Sequence, residues 1–163
     1  MASDPVDTAW KIHAAVVDWT GKVDSKASFT LTIQTAIMAG IITMSTDNRV
    51  LADLSGPKEI FYTIGVVLVG LAMLGSAAVV IPQLRRSKTL KTESSNNFIY
   101  FGHLRHLDPA DIERQIKNAD LLPVLSHQLQ VMSNIAWWKH RLAQASMILA
   151  ILGIIPIVIV ALV

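Results

Sequence analysis

Three long apolar stretches divide the chain, and each adjoins a polar or amphipathic one. The first follows Asp24-Ser25-Lys26-Ala27-Ser28, after which about 17 residues pass without a charge before Ser45. At ~1.5 Å per helical residue, that run suits the ~30 Å core of a bilayer. Upstream, Val6, Trp10, His13 and Val17 recur at helical spacing beside Ala9 and Val16, while Asp7, Lys11 and Asp18 take the other face. Ser3 or Asp4 ahead of Pro5 is a helix start. Gly21 lowers helix propensity by ~1 kcal/mol without ending a helix. The pattern predicts one helix from about residue 5 to 45, half in water and half in lipid.

The second apolar stretch runs from Glu59 to Ile81 and is closed by Pro82, after a turn-rich loop containing Asp47-Asn48 and Ser55-Gly56-Pro57. The third runs from Leu142 to Val163. It continues a periodic segment that starts at Pro123 and carries Val124, Leu125, His127, Gln128, Val131, Met132, Ile135 and Trp138. Pro156 is a candidate kink. Between the second and third stretches, Thr92 to Asn97 reads as a polar loop. Phe98 to Leu104 is aromatic but too short to span, and reads as an extended or single-turn segment. Asp108-Pro109 with Asp111 starts a helix that runs to about Asp120 or Leu122. The expected fold is an all-α membrane protein in which a cytoplasmic helical bundle extends the first and last of three transmembrane helices. The expected segments are an amphipathic helix over 1–27, a span over 28–45, an external loop over 46–58, a second span over 59–82, a cytoplasmic helical region over 83–141 and a third span over 142–163.

Composition agrees with that class: 52% of residues are hydrophobic and 16% charged, against roughly 25% charged in soluble domains. The charges are unevenly placed. Of the 14 Lys and Arg, residues 83–141 hold 9 and the 46–58 loop 2. Positive residues stay inside, so the N-terminus is expected in the cytoplasm and the C-terminus on the far side of the membrane. Juxtamembrane Arg85, Arg86, Lys88 and Lys91 fit this rule without any nucleic-acid role. Acidic Asp4 and Asp7 near the N-terminus are unlike a cleavable signal.

Within the first span, Thr32, Ala36 and Gly40 form one stripe of small residues, and Thr35, Ala39 and Thr43 a second; such residues let helices approach closely. Gln34 is the one large polar side chain there. Either it bonds a neighbouring helix or it lines or gates a pore. Asp24 and Lys26 lie two apart and face different neighbours; Asp24 is expected to pair with Lys139 or Arg141, and Lys26 with Asp108 or Asp120. No cysteine is present, and no His-Glu-x-x-His pattern, Walker loop, dinucleotide fingerprint or Ser-His-Asp spacing occurs. The expectation is a protein that is not an enzyme, with no metal and no cofactor.

Asp24-Ser25-Lys26-Ala27-Ser28 leading into a span, a second span, Asn97-Phe98-Ile99-Tyr100-Phe101-Gly102-His103, and Gln130-Val131-Met132-Ser133-Asn134-Ile135 with Lys139 resemble the Pycsar membrane effector family. The resemblance covers nearly the whole chain. It implies a bacterial antiphage role in which a pyrimidine cyclase makes cyclic CMP or cyclic UMP and the effector impairs the inner membrane. The chain lacks anything like a β-rich cyclic-nucleotide-binding domain. A nucleotide site would need cations for the phosphate and an aromatic or amide group for the base. The candidates are Lys26, Arg85, Arg86, Arg105 and Lys139 with Asn97, Tyr100 and His103; the alternative for the aromatics is packing in the bundle. Asp24, Gln34 and Gly40 are the structural or gating candidates. Three spans are too few to enclose a pore, so a homo-oligomer is expected. The competing functions are an anchor for a partner enzyme and a small transporter subunit, the latter weakened by the lack of charge in the spans.

Overall fold

The computed structural model describes residues 4–47 and 49–162; Ser3 of the expected helix start and Asn48 of the loop lie outside them. Six helices follow in order: α1 Pro5–Met44, α2 Pro57–Val80, α3 Ser87–Glu93, α4 Phe101–Leu104, α5 Pro109–Asn118 and α6 Leu121–Leu162. No strand occurs among the described residues. Three of the helices, α1, α2 and α6, are long and apolar enough to cross a membrane. Asp4 accepts the Val6 backbone N–H at 3.1 Å and so starts α1. Gly56 takes φ 62 ahead of Pro57, a turn that favours glycine. The last helix begins at Leu121, two residues before the expected start, with Asp120 accepting the Leu122 N–H, and it continues past Pro156.

The polar stretch after the second span needs correcting. Lys88, Lys91, Thr92 and Glu93 form part of α3 rather than a charged tail running into a loop. One apolar anchor, Leu90, is buried there, and a single buried residue leaves no periodicity to read. The aromatic segment takes its single-turn form in α4, with Phe98 buried just before it.

The chain divides into two compact units. The first comprises residues up to Gly21 together with Pro82–Trp137, and the second Lys22–Ile81 with the chain from Trp138 onward. In the second unit, buried positions repeat at alternating spacings of three and four. On α2 they are Gly65, Val69, Ala72, Ser76 and Val79; on α6 they run from Lys139 through Ala143, Ser146, Ala150, Gly153 and Ile157 to Val160. That repeat keeps one seam of each helix facing its partners in a left-handed coil. Ile41, Leu51, Val69, Ile157 and Val160 make one apolar cluster, and Val23, Ala27, Val79 and Ala143 another. Backbones nearly touch where α2 meets α6. A Cβ on Gly65 would lie 2.6 Å from the Gly153 carbonyl, and one on Gly153 would lie 2.8 Å from that of Gly65.

The small-residue stripes of α1 are not that seam. Thr32, Thr35, Ala36, Ala39, Gly40 and Thr43 are all exposed, and a Cβ on Gly40 would meet nothing within 4 Å. The buried face of α1 here is Val23, Ala27, Gln34 and Ile41. A run of strict fourth residues drifts off a seam whose period is seven. The stripe threonines instead satisfy their hydroxyls on their own helix: Thr32 on Ser28, Thr35 on Leu31 and Thr43 on Ala39, each donating to the carbonyl four residues back. Such side chains can face lipid at little cost.

Candidate functional site

In the first unit, polar groups converge on the carboxylate of Glu93. Arg85 reaches it with both terminal nitrogens, one 2.9 Å from Oε1 and the other 2.8 Å from Oε2. His103 Nε2 lies 3.3 Å from Oε2 and His127 Nε2 4.0 Å from the same oxygen. Local structure places them. Arg85 sits just before α3, Glu93 ends it, His103 comes from the single turn α4, and His127 from the first turns of α6. Asn97 donates to the Glu93 carbonyl at 3.2 Å, and Gln115 donates to the carbonyls of Ser94 and Ser95, so the segment after α3 is held by side chains on both sides. Tyr100 meets His103 edge-on, with ring centroids 5.7 Å apart. A Cβ on Gly102 would collide with Tyr100, which fixes the turn close beneath that ring.

His103 is 1% exposed. Burial pushes its imidazole below the ordinary value of 6.5, against the pull of the Glu93 carboxylate. Nε2 faces that carboxylate, so the neutral ring carries its proton there and leaves Nδ1 as an acceptor; Nδ1 is buried without a hydrogen bond. Glu93 is held below its ordinary value of 4.5, first by the hydrogen bond from Arg85. Both depressed values act in the same direction. Below about pH 6.5 the unfolded chain takes up the His103 proton more readily than the folded one, and nearer pH 4.5 the same holds for Glu93. The first unit is therefore expected to lose stability as pH falls from 7 to 5. Thermal unfolding in detergent should show the midpoint dropping across that interval, with the slope reduced in His103→Gln.

A small cavity of about 50 Å³ opens beside Arg85, lined by Gln83, Tyr100, Gln128, Val131, Met132 and Ile135. Of the sequence-predicted ligand candidates, Arg85, Asn97, Tyr100 and His103 come together around Glu93. Arg86 and Arg105 are exposed in the same unit. Lys26 and Lys139 belong to the second unit, Lys26 exposed and Lys139 committed to another partner.

That partner is Asp24. Lys139 Nζ donates to both carboxylate oxygens, at 2.7 and 2.8 Å. The lysine side chain is 5% exposed and the aspartate 35%. This is one of the two pairings expected for Asp24, and it ties α1 to α6 where the apolar runs begin. Lys26 forms no ion pair among the described residues. Deeper in the same unit, Ser146 is the hub of a hydrogen-bond network joining α1, α2 and α6. It donates to the Ala72 carbonyl at 2.6 Å, which makes Ser76 the donor in the 2.7 Å contact between the two hydroxyls, and it accepts Gln34 Nε2 at 3.1 Å. Gln34 thus bonds a neighbouring helix. Ser146→Ala is expected to cost more than Gln34→Leu, because it strands two buried donors, the Gln34 amide and the Ser76 hydroxyl. Thermal unfolding should place the glutamine variant near the ~0.6 kcal/mol typical of such bonds, and the serine variant near or above ~1.7 kcal/mol.

The family model of the Pycsar effector protein domain matches residues 8–163, nearly the whole chain. The protein belongs to this family. Comparison with curated protein sequences gives no match, and comparison with solved structures gives none. Membership and the three apolar helices together make it a multi-pass membrane protein of the Pycsar effector family. Two members of its polar architecture escape sequence reasoning. Glu93 lay in a stretch read as loop, although a carboxylate in the last turn of a helix opposes the helix dipole and is a signal of a specific cation partner. Ser146 was hidden in an apolar run, where a lone serine on the buried seam of α6 is the available sign.

Proposed function

We propose that this Pycsar effector is a membrane effector of bacterial antiphage defence that impairs the inner membrane when a cyclic pyrimidine nucleotide, cyclic UMP or cyclic CMP, is made by a partner cyclase. The observation that carries this reading is the family match across both the apolar spans and the polar region between them. The protein does this without covalent chemistry: it binds a signal and changes the bilayer. The first unit, with its cation, aromatic ring and amides around Glu93, is the nucleotide-receiving region, and it lies in the cytoplasm with the N-terminus, the C-terminus being outside. The excess of Lys and Arg in residues 83–141 supports that orientation. Copies of the chain assemble to act, since three spans cannot enclose a path for ions.

The test is leakage from vesicles containing the purified protein, with cyclic UMP, cyclic CMP and cyclic AMP added separately. Dye release or potential loss with a pyrimidine nucleotide alone is the expected result. If none of the three nucleotides causes leakage while the protein co-purifies from cells with a partner enzyme, the chain is an anchor and the reading is wrong.

A further inference from the structure

We propose that Glu93 is an internal stand-in for the ligand's phosphate: it occupies Arg85 in the resting protein, and the phosphodiester of the activating nucleotide takes its place. This inference rests on the reading of the first unit as the nucleotide-receiving region and names how that site is regulated.

Geometry comes first. The Arg85 guanidinium presents two nitrogens to two oxygens of one anion, the fork that arginine uses for carboxylates and phosphates alike. A cyclic nucleotide phosphodiester also offers one negative charge and two free oxygens. Exchange of one for the other at Arg85 leaves the local charge balance of the guanidinium unchanged.

The carboxylate, once released, is not stranded. His103 and His127 already flank Oε2 at 3.3 and 4.0 Å, and either imidazole can donate to it. Its present position is held by Arg85 against an unfavourable end of α3, since the negative group stands at the C-terminal turn. The device is therefore biased toward release once a better anion reaches the arginine.

The cavity supplies the third observation. At about 50 Å³ it holds one or two waters at ~30 Å³ each, far below the ~300 Å³ of the smaller ligand pockets. Its wall nonetheless has the parts a pyrimidine ring needs: the Tyr100 ring for a face, and the amides of Gln83 and Gln128 for the base edge. A nucleotide can enter only if the wall opens, and Arg85, the residue that Glu93 holds, forms part of that wall. Glu93 thus sets the threshold for the signal as well as the resting state.

The test is equilibrium binding of cyclic UMP and cyclic CMP to the full-length protein in detergent, for wild type, Glu93→Gln and Arg85→Lys. If the open form is about a tenth of the resting population, Glu93→Gln binds about tenfold tighter, and Arg85→Lys, which keeps charge but loses the fork, binds at least about tenfold weaker. Wild type that binds while Glu93→Gln gains nothing overturns this inference and leaves the proposed function standing. Failure of all three proteins to bind either nucleotide removes the proposed function and this inference with it. Should Glu93→Gln fold poorly, hydrogen exchange on the wild type decides: saturating nucleotide must speed exchange in the last turn of α3 if Glu93 is displaced, and unchanged or slower exchange there refutes the displacement.

Discussion

Glycine-to-alanine replacement at Gly153 or Gly65 is expected to separate α2 from α6 and to destabilise the protein by about 2–3 kcal/mol per site, at the upper end of overpacking costs. The added methyl has nowhere to go. At Gly153 it would lie 2.8 Å from the Gly65 carbonyl and 2.9 Å from the Val69 backbone nitrogen; at Gly65 it would lie 2.6 Å from the Gly153 carbonyl. The Ile157 and Val69 side chains crowd these sites too, but the backbone neighbours cannot swing aside. Gly40→Ala is the control, with nothing within 4 Å, and it should stay within about 0.5 kcal/mol of wild type, as for an exposed site. Unfolding titrations in mixed micelles measure all three. Equal stability for Gly40→Ala and Gly153→Ala would mean that the helices do not meet at these glycines.

The second large effect is expected at the ion pair, and it is asymmetric. Asp24→Ala leaves the Lys139 ammonium 5% exposed with no counter-charge; removing one partner of a buried pair costs about 3–5 kcal/mol. The exposure of the aspartate lets water reach the vacated site, which brings the expected loss to about 2–3 kcal/mol. Lys139→Met leaves only the half-exposed Asp24, which water can solvate, and should cost about 1 kcal/mol. The double variant Asp24→Ala/Lys139→Met should be more stable than Asp24→Ala alone, since it buries no unpaired charge. A double-mutant cycle read by chemical unfolding gives the coupling directly. Additive losses would show that the pair contributes nothing as a pair.

The long elements were legible in the chain because each is governed by one local signal. Apolar length marks α1, α2 and α6, and the aspartate-proline step marks α5. Asp24 with Lys139 was legible for a different reason: each charge stands at the edge of an apolar run, where it needs a partner nearby. What could not be read follows from the same physics. α3 buries one residue, Leu90, and so leaves no period. The Glu93 cluster joins residues 8, 10 and 34 positions apart along the chain, and no spacing rule connects them before the segment folds. The stripes of small residues in α1 do not mark its seam with α2 and α6, because strict fourth-residue spacing suits a single close crossing, whereas these helices run side by side along a seam of period seven.

Of the three chain boundaries between the two units, only that between Ile81 and Pro82 falls outside a helix; one passes between Gly21 and Lys22 and another between Trp137 and Trp138, inside α1 and α6. The polar unit is therefore not a cassette. It cannot be moved onto another membrane scaffold as one inserted segment, because its N-terminal portion is the beginning of α1 and the rest lies beyond α2. Recombination that exchanges this unit would have to cut two helices in register. On the proposed reading of the first unit, a change in the recognised signal comes more readily from point substitution around Arg85 and Tyr100 than from the trading of domains.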